Sequence, residues 1–380
     1  MNRLFTAVLA LAIFVMAGAQ AAQAQIETKA KQAIIVDVQT GAILFEKNAM
    51  ERMPTSSMSK VMTTYMVFED LKRGRLKLDD RFLVSKKAWE MGGSKMFILV
   101  GDRVKVEDLV RGIVIQSGND ATVAVAEGLA GSEDAFAEAM TRRAQELGMK
   151  ASNFKNASGW PDPDHYSTAH DLAILAHRII ADFPEYYHYF AERDFTYNKI
   201  KQQNRDPLLG RVTGADGLKT GHTEAAGYGL IGSAIRDGRR VIMVINGLES
   251  IQERTEESVR LLEWAFRNFD RKVLVQQGET VDSAPVWLGK QIDVPLVANE
   301  DIHIVLPRGR ANEVRMSVKY DAPLPAPVKK GTKAGMLKIE IPQQAPIEVE
   351  LFTGADVSRL GFFGRAKERA RYLIFDRAEN

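Results

Sequence analysis

Strand-like segments lie on both sides of a helical stretch in the first part of the chain, and this order constrains the fold more than any other feature. The β-branched run at 33–38, the turn at 39–41 and the apolar run at 42–45 predict one β-hairpin. Residues 228–235 and 241–245, joined by Asp237-Gly238, predict a second hairpin. Apolar spacing and capping residues predict helices at 55–73, 107–116, 121–129, 132–147, 167–181 and 253–269. The order predicts one α/β (α+β) domain that combines an antiparallel sheet with a helical cluster.

The pattern changes at about residue 272, where short β-like runs are separated by glycine and proline. The runs lie at 281–288, 302–306, 314–320, 335–341 and 347–352. They predict a small all-β domain, which we expect to resemble a β-sandwich.

A helical pattern returns in the tail at 360–375. Its apolar residues recur at three and four positions and form one stripe, and the basic residues lie mostly off it. The stripe consists of Phe362, Phe363, Ala366, Ala370, Leu373 and Ile374. A cationic face beside Phe and Leu is typical of a helix that lies in a membrane interface, and packing on the β domain is the alternative.

The first 24 residues have the pattern of a secretory signal peptide. Arg3 supplies a positive charge, residues 4–17 are almost continuously apolar, and Ala22-Gln23-Ala24 matches a small-x-small cleavage site. An uncleaved membrane anchor is the alternative. We therefore expect an exported chain, and no other segment predicts a transmembrane helix. The expected parts are a signal peptide at 1–24, the α/β domain at 25–271, the β domain at 272–356 and an amphipathic helix at 357–380.

Composition excludes several classes of function. The net charge of +2 does not indicate nucleic acid as a partner. The absence of cysteine excludes disulfides, a thiolate nucleophile and cysteine-ligated metal. The six histidines form no H-E-x-x-H, so we predict no metal site and no cofactor. His165 and His170, around a loop, are interpreted as structural or surface residues.

A candidate nucleophile lies at the predicted start of the first helix, which we expect to be amphipathic. Ser57 and Lys60 are three residues apart, so they share one helical face. A desolvated lysine can take the proton of a nearby serine hydroxyl and activate it as a nucleophile. Pro54 suits a first helical turn, and Thr55 or Ser56 is the expected cap. The alternative is a capping serine beside a solvated lysine.

Two further motifs favour the interpretation of Ser57 and Lys60 as a nucleophile and its base. They are Ser117-Gly118-Asn119 and Lys219-Thr220-Gly221, and each alone is compatible with an ordinary turn or strand. Together, in this order in an exported chain, the three motifs match the serine acyl-transfer enzymes that include penicillin-binding proteins and β-lactamases. The surrounding residues 53–63, 115–121 and 216–223 resemble the D-alanyl-D-alanine carboxypeptidases, which are low-molecular-mass penicillin-binding proteins.

The resemblance implies a β-lactamase/transpeptidase-like catalytic domain and a role for each motif residue. Ser57 would attack the carbonyl between two D-alanines, and Lys60 would accept its proton. The backbone N–H groups of Ser57 and His222 would form the oxyanion hole. Ser117 would relay a proton to the leaving amine, and Asn119 would hold Lys60 and the substrate amide.

Further residues would recognise the substrate carboxylate. Lys219 would supply positive charge and help to keep Lys60 neutral by repulsion, while Thr220, followed by Gly221, would donate a hydrogen bond. Arg205 and Arg254 are additional candidates, with a surface arginine as the alternative for each. The implied partners are peptidoglycan stem peptides ending in D-Ala-D-Ala, β-lactam antibiotics and, through the C-terminal helix, the outer face of the cytoplasmic membrane in the periplasm.

Several alternatives stay open. Ser56, four residues before Lys60, could share its face, and Ser57 is preferred because the family motif has a spacing of three. A class A β-lactamase would carry S-D-N and an E-x-x-x-N pattern, neither of which this sequence has. A penicillin-acylated sensor or wall-binding module with little turnover, and an endopeptidase with the same motifs, are the other readings.

Overall fold

The computed structural model describes residues 26–342 and 344–375, and the side chains only as far as residue 370 in the last helix. The signal peptide predicted at 1–24 lies outside the described residues. The elements before residue 269 are, in chain order, β1 (Gln32–Asp37), β2 (Ile43–Lys47), α1 (Lys60–Lys72), β3 (Arg81–Leu83), α2 (Lys86–Glu90), β4 (Arg103–Lys105), α3 (Val106–Val114), α4 (Asn119–Ala130), α5 (Glu133–Glu146), α6 (Ala169–Asp182), β5 (Asp194–Tyr197), β6 (Ile200–Gln203), β7 (Ala215–Thr223), β8 (Gly227–Arg236), β9 (Arg239–Leu248) and α7 (Ile251–Asn268).

The predicted hairpins join into one five-stranded sheet in the order β2-β1-β9-β8-β7. Every neighbouring pair in it is antiparallel, as the sequence predicts. Successive residues of β9 enter different cores: Ile242 packs with the helical cluster, and Met243 packs with α7 on the opposite face. The period of two along a strand therefore buries both faces of the sheet.

The first predicted helix differs from the expectation. Ser56–Ser59 forms a turn of 3₁₀-helix, and the α-helix begins only at Lys60. Neither Thr55 nor Ser56 caps it, because the Thr55 hydroxyl hydrogen-bonds to Ser59 and the Ser56 hydroxyl to Thr223. The helix is also buried on nearly all sides rather than amphipathic, since it passes between the sheet and the other helices.

The following region is the predicted all-β domain with a terminal helix. Its elements are β10 (Phe269–Val275), β11 (Thr280–Trp287), β12 (Asp293–Val297), β13 (Ile302–Pro307), β14 (Arg315–Lys319), β15 (Leu324–Pro325), β16 (Lys333–Glu340), β17 (Ile347–Thr353) and α8 (Phe362–Phe375). Six strands form a sheet in the order β14-β16-β17-β12-β11-β15, and β10 pairs with β13. The first strand thus begins before the expected boundary at 272. Between residues 26 and 375, leaving out 343, no helix is both long and apolar enough to cross a membrane.

A buried ion pair between the interior strands β1 and β9 also fastens the five-stranded sheet to the start of the β domain. Arg239 Nε lies 2.8 Å from Asp37 Oδ2, and its Nη1 donates to the carbonyl of Phe269 at 2.7 Å. The Asp37 side chain is 0% exposed. Removing one partner would leave a buried charge without its counter-charge.

We expect Arg239→Ala to lower the stability of the domain that contains this sheet by about 3–5 kcal/mol, because Asp37 would remain buried without its counter-charge. Urea unfolding followed by tryptophan fluorescence measures the change. The matched control is Lys86→Ala, which breaks an exposed ion pair with Glu90 and should leave the midpoint almost unchanged. Equal midpoints for the two variants would contradict the role given to the buried pair.

Candidate active site

Three separate segments meet at the amine of Lys60. Its Nζ lies 2.9 Å from Ser57 Oγ, 2.7 Å from Asn119 Oδ1 and 2.7 Å from the carbonyl oxygen of Ser158. The 3₁₀ turn explains the first contact, because residues i and i+3 eclipse each other in that geometry. The other two come from the start of α4 and from the loop after α5. Lys60 is completely buried among them.

These three contacts fit a neutral amine. Asn119 Oδ1 and the Ser158 carbonyl can only accept hydrogen bonds, so they use two N–H groups of Lys60. In the neutral amine the remaining position on Nζ is a lone pair, and it faces Ser57 Oγ. The Asn119 amide is fixed in this orientation because its Nδ2 donates to the carbonyl of Gly92 at 2.8 Å. The arrangement is suited to removing the proton from Ser57.

The surroundings of Lys60 favour the neutral form further. Burial, followed by the positive charge of Arg205, lowers the pKa of Lys60 from 10.5 to about 7. Burial and the charges of Lys60, Arg205 and Arg254 lower the pKa of Lys219 well below its ordinary value. The cation that lowers the pKa of Lys60 is therefore Arg205 rather than the expected Lys219, whose own pKa is the one lowered by the charge of Lys60.

The turn that carries Ser57 is confined from two directions. A Cβ on Gly159 would lie 1.8 Å from the carbonyl oxygen of Ser56, at a φ of +80°. A Cβ on Gly221 would lie 2.9 Å from the carbonyl oxygen of Thr55. The loop after α5 and strand β7 therefore both touch the backbone of the turn, and only glycine permits these approaches.

The third motif lies within β7 rather than at its start. Lys219 and Thr220 are both buried, and Lys219 Nζ donates to the carbonyl of Thr220 at 3.0 Å. His222 is exposed near the end of the strand, and its ring stacks on Tyr228 with 3.9 Å between the ring centroids. Because β7 packs on the nucleophile turn, the backbone at His222 lies on the same side of the site as Ser57.

The second motif adopts an unusual backbone. Ser117 has a φ of +63°, in the left-handed region that a non-glycine residue seldom occupies. Its hydroxyl is buried, and within the described part of the chain it has no hydrogen-bond partner. An unsatisfied buried hydroxyl is costly, so its presence calls for an explanation such as a functional role.

The two candidate arginines have different surroundings. Arg254, near the start of α7, is buried and lies over the ring of Tyr228, with 5.7 Å from Cζ to the centroid. Arg205 is exposed, and its Nη1 donates to Ser94 Oγ at 2.6 Å. The surface alternative therefore does not describe Arg254. Both charges act on Lys219, so the cations share one region of the site.

Three further residues were not assigned to the site from the sequence. Ser158 contributes a main-chain oxygen, which no side-chain pattern can indicate. Asp206 is buried beside Arg254 and Lys219, and burial raises the pKa of its carboxyl to about 6. His165 is buried and hydrogen-bonds to Ser59, two residues from Ser57. Of these three residues, only Asp206 could have been suspected from the sequence, because it directly follows the candidate Arg205.

Known proteins of one family match this protein over most of its chain. Residues 18–250 match the family model described as D-alanyl-D-alanine carboxypeptidase, and residues 269–359 match the C-terminal domain of penicillin-binding protein 5. D-alanyl-D-alanine carboxypeptidase DacC of Escherichia coli is 38% identical over 87% of this chain and 85% of its own length. DacA of Haemophilus influenzae is 37% identical over 87% of this chain and 86% of its own.

Solved structures show the same architecture. Penicillin-binding protein 5 of Haemophilus influenzae aligns with a TM-score of 0.78 and 37% identity, covering 88% of this chain and 99% of that one. Ampicillin-bound penicillin-binding protein D2 of Listeria monocytogenes aligns with a TM-score of 0.59 and 31% identity over 64% of this chain and 99% of that one. The predicted fold class is confirmed, and the chain belongs to the D-alanyl-D-alanine carboxypeptidase family.

Proposed function

We propose that this protein is a serine-type D-Ala-D-Ala carboxypeptidase that removes the terminal D-alanine from peptidoglycan stem peptides through an acyl-enzyme on Ser57. The observation that carries the proposal is the contact of 2.9 Å between Lys60 Nζ and Ser57 Oγ, with both other neighbours of that nitrogen being acceptor oxygens. Membership of the family supplies the reaction class. Penicillins would acylate the same serine.

The first half of the reaction follows from these positions. Ser57 Oγ attacks the carbonyl between the two D-alanines while its proton passes to Lys60 Nζ. The negative charge that develops on the carbonyl oxygen is stabilised by the backbone N–H groups of Ser57 and His222. A low pKa for Lys60 matters here, because only the neutral amine has a lone pair for the proton.

The second half releases both products. The C–N bond breaks, the proton reaches the leaving D-alanine amine through Ser117, and the acyl group stays on Ser57. Among the residues that the structure describes, none hydrogen-bonds to the hydroxyl of Ser117, which supports this relay role. A water molecule then attacks the ester carbonyl while its proton passes to Lys60, the C–O bond to Ser57 breaks, and Lys60 returns the proton to Ser57 Oγ.

Recognition of the substrate carboxylate falls to the cations around β7. Lys219, Arg205 and Arg254 lie close enough to repel each other, and burial followed by this repulsion lowers the pKa of Lys219. A carboxylate bound among them would supply the missing negative charge, and Thr220 would add a hydrogen bond. This preference for a free carboxylate favours a carboxypeptidase over an endopeptidase that cuts within cross-links.

We expect Ser57→Ala to abolish both D-alanine release from a pentapeptide and covalent labelling by a fluorescent penicillin, because the attacking oxygen is lost. The matched control is Ser56→Ala, which removes a hydroxyl bonded to Thr223 at 3.2 Å and should still label. A denaturing gel and a D-alanine assay measure the two activities. Persistent labelling of Ser57→Ala would remove Ser57 as the nucleophile. Labelling of the unmodified protein without D-alanine release would favour the sensor.

We expect the acylation rate to rise with pH around a midpoint near 7, because the fraction of neutral Lys60 rises through its pKa of about 7. Arg205→Gln removes a cation that lowers this pKa, so its midpoint should move to higher pH. Stopped-flow acylation by a fluorescent penicillin at constant ionic strength gives both profiles. Arg211→Gln, another arginine of the same connecting segment, serves as the control. Identical midpoints in all three proteins would contradict the charge effect.

The C-terminal helix α8 supports a further part of the proposal, attachment to the outer face of the cytoplasmic membrane in the periplasm. Phe362 and Phe363 are 71% and 86% exposed, and Ala366 and Ala370 of the same stripe are exposed as well. Exposed aromatic rings beside basic residues fit insertion at a lipid interface. The alternative, packing of the stripe on the β domain, does not fit these exposures.

We expect residues 25–380 to float with anionic liposomes and a chain ending at Arg359 not to float, because the truncation removes the apolar stripe with its basic residues. Phe362→Ser/Phe363→Ser should weaken flotation without removing charge. Soluble-peptide activity should survive both changes, which shows that the proteins are folded. Equal flotation of the full and truncated chains, or flotation of neither, would count against the anchor.

A further inference from the structure

A serine–histidine contact lies directly behind the turn that carries Ser57. His165 Nε2 and Ser59 Oγ are 2.7 Å apart, and both side chains are buried. Ser59 Oγ in turn hydrogen-bonds to the hydroxyl of Thr55. Thr55 and Ser59 lie on either side of Ser57, so this series of hydrogen bonds encloses the turn that carries the nucleophile.

The other ring nitrogen of His165 determines which group donates in each of these hydrogen bonds. The backbone N–H of Lys155 donates to His165 Nδ1 at 3.2 Å, so Nδ1 carries no proton. In the neutral ring the proton is then on Nε2, which donates to Ser59 Oγ. The Ser59 hydroxyl is left to donate to Thr55. Burial lowers the pKa of His165 to about 4, which keeps the ring neutral at the pH of the reaction.

The loop that holds His165 also completes the site of Lys60. The carbonyl of Ser158 accepts from Lys60 Nζ, and Gly159 touches the carbonyl of Ser56. At the end of the same loop Ser167 and Met53 exchange backbone hydrogen bonds of 2.8 and 3.1 Å. The His165–Ser59 hydrogen bond adds a side-chain connection between this loop and the turn that carries Ser57, and it lies between these backbone contacts.

We propose that His165 is a positioning residue: through Ser59 it holds the nucleophile turn against the loop, so that Ser57 Oγ and Lys60 Nζ stay in the geometry needed for acylation. Ser59 is sealed from solvent and cannot meet a substrate, so the pair does not act as a second nucleophile and base. A displacement of about 1 Å at a reacting atom can cost on the order of 100-fold in rate, so a small shift of the turn has a large effect.

The test compares two substitutions of the same histidine. In His165→Asn the amide oxygen takes the place of Nδ1 and accepts from Lys155, but nothing reaches Ser59. In His165→Gln the amide nitrogen reaches toward the place of Nε2 and can still donate to Ser59. We expect the Asn variant to be acylated about tenfold or more slowly by a fluorescent penicillin and the Gln variant to regain most of the rate.

Kinetics separate positioning from a general loss of structure. The rate constant of the covalent step should fall in His165→Asn while the dissociation constant of the preceding noncovalent complex stays the same. The pH midpoint of acylation should also stay the same, because His165 is not the base. His177→Asn, a change of an exposed histidine on α6, is the control and should leave all three quantities unaltered.

A double-mutant cycle with Ser59→Ala tests the route of the effect. If His165 acts through Ser59, the variant His165→Asn/Ser59→Ala is no slower than the slower single variant. Multiplied effects, equal rates in His165→Asn and the unmodified protein, or a change confined to the noncovalent step would overturn the inference. If His165→Asn does not fold, Ser59→Ala alone decides, since an unchanged covalent rate in it removes the proposed route.

The inference rests on the proposed function, because the rate measured is that of acylation. The two fail in different ways. An unmodified protein that is not labelled at all, or is labelled at a residue other than Ser57, refutes the acyl-enzyme. An unmodified protein labelled at Ser57, with His165→Asn labelled equally fast, refutes only the role of His165.

Discussion

The burial of the Lys60 amine is the constraint on which the rest of the site depends. A lysine removed from water is costly to keep charged, so it either finds a counter-charge or loses its proton. Here the nearest oxygens, from Asn119 and Ser158, are uncharged acceptors at 2.7 Å. They satisfy the N–H groups without stabilising the positive charge as a carboxylate would. The fold thereby produces a base near neutral pH from a residue that is ordinarily an acid.

Such a base is useful only if the serine stays beside it, and the packing around the nucleophile turn meets this need. Strand β7 touches the turn at Gly221, and the loop after α5 touches it at Gly159, so two separate elements limit its movement. The turn itself is a single 3₁₀ segment at Ser56–Ser59, and its tight geometry brings Ser57 over Lys60, the residue that follows it. Rigidity comes here from backbone contact, and the glycines are the residues that permit it.

Residue types in a specific spacing and order allowed Ser57, Lys60, Asn119 and Lys219 to be chosen as candidates from the sequence, and the structure brings the first three together around Lys60 Nζ. The antiparallel sheet followed from the two hairpins. Sequence reasoning failed where the backbone or tertiary burial decides. The carbonyl of Ser158 has no signature in a sequence. The helix that begins at Lys60 was predicted to be amphipathic, but the structure buries it on nearly all sides. The elements that cover it come from distant segments, and local spacing cannot reveal such contacts.

The cations of the site link substrate recognition to the strength of the base. Lys219, Arg205 and Arg254 lie together, and Arg205 is also one of the charges that keep the pKa of Lys60 low. A substrate carboxylate bound among them would offset part of this repulsion and so would raise the pKa of Lys60. A higher pKa makes the amine a stronger base but leaves less of it neutral. Because the pKa of Lys60 in the free protein is about 7, a modest rise would still leave much of the amine neutral, and able to take the proton of Ser57, in mildly alkaline solution.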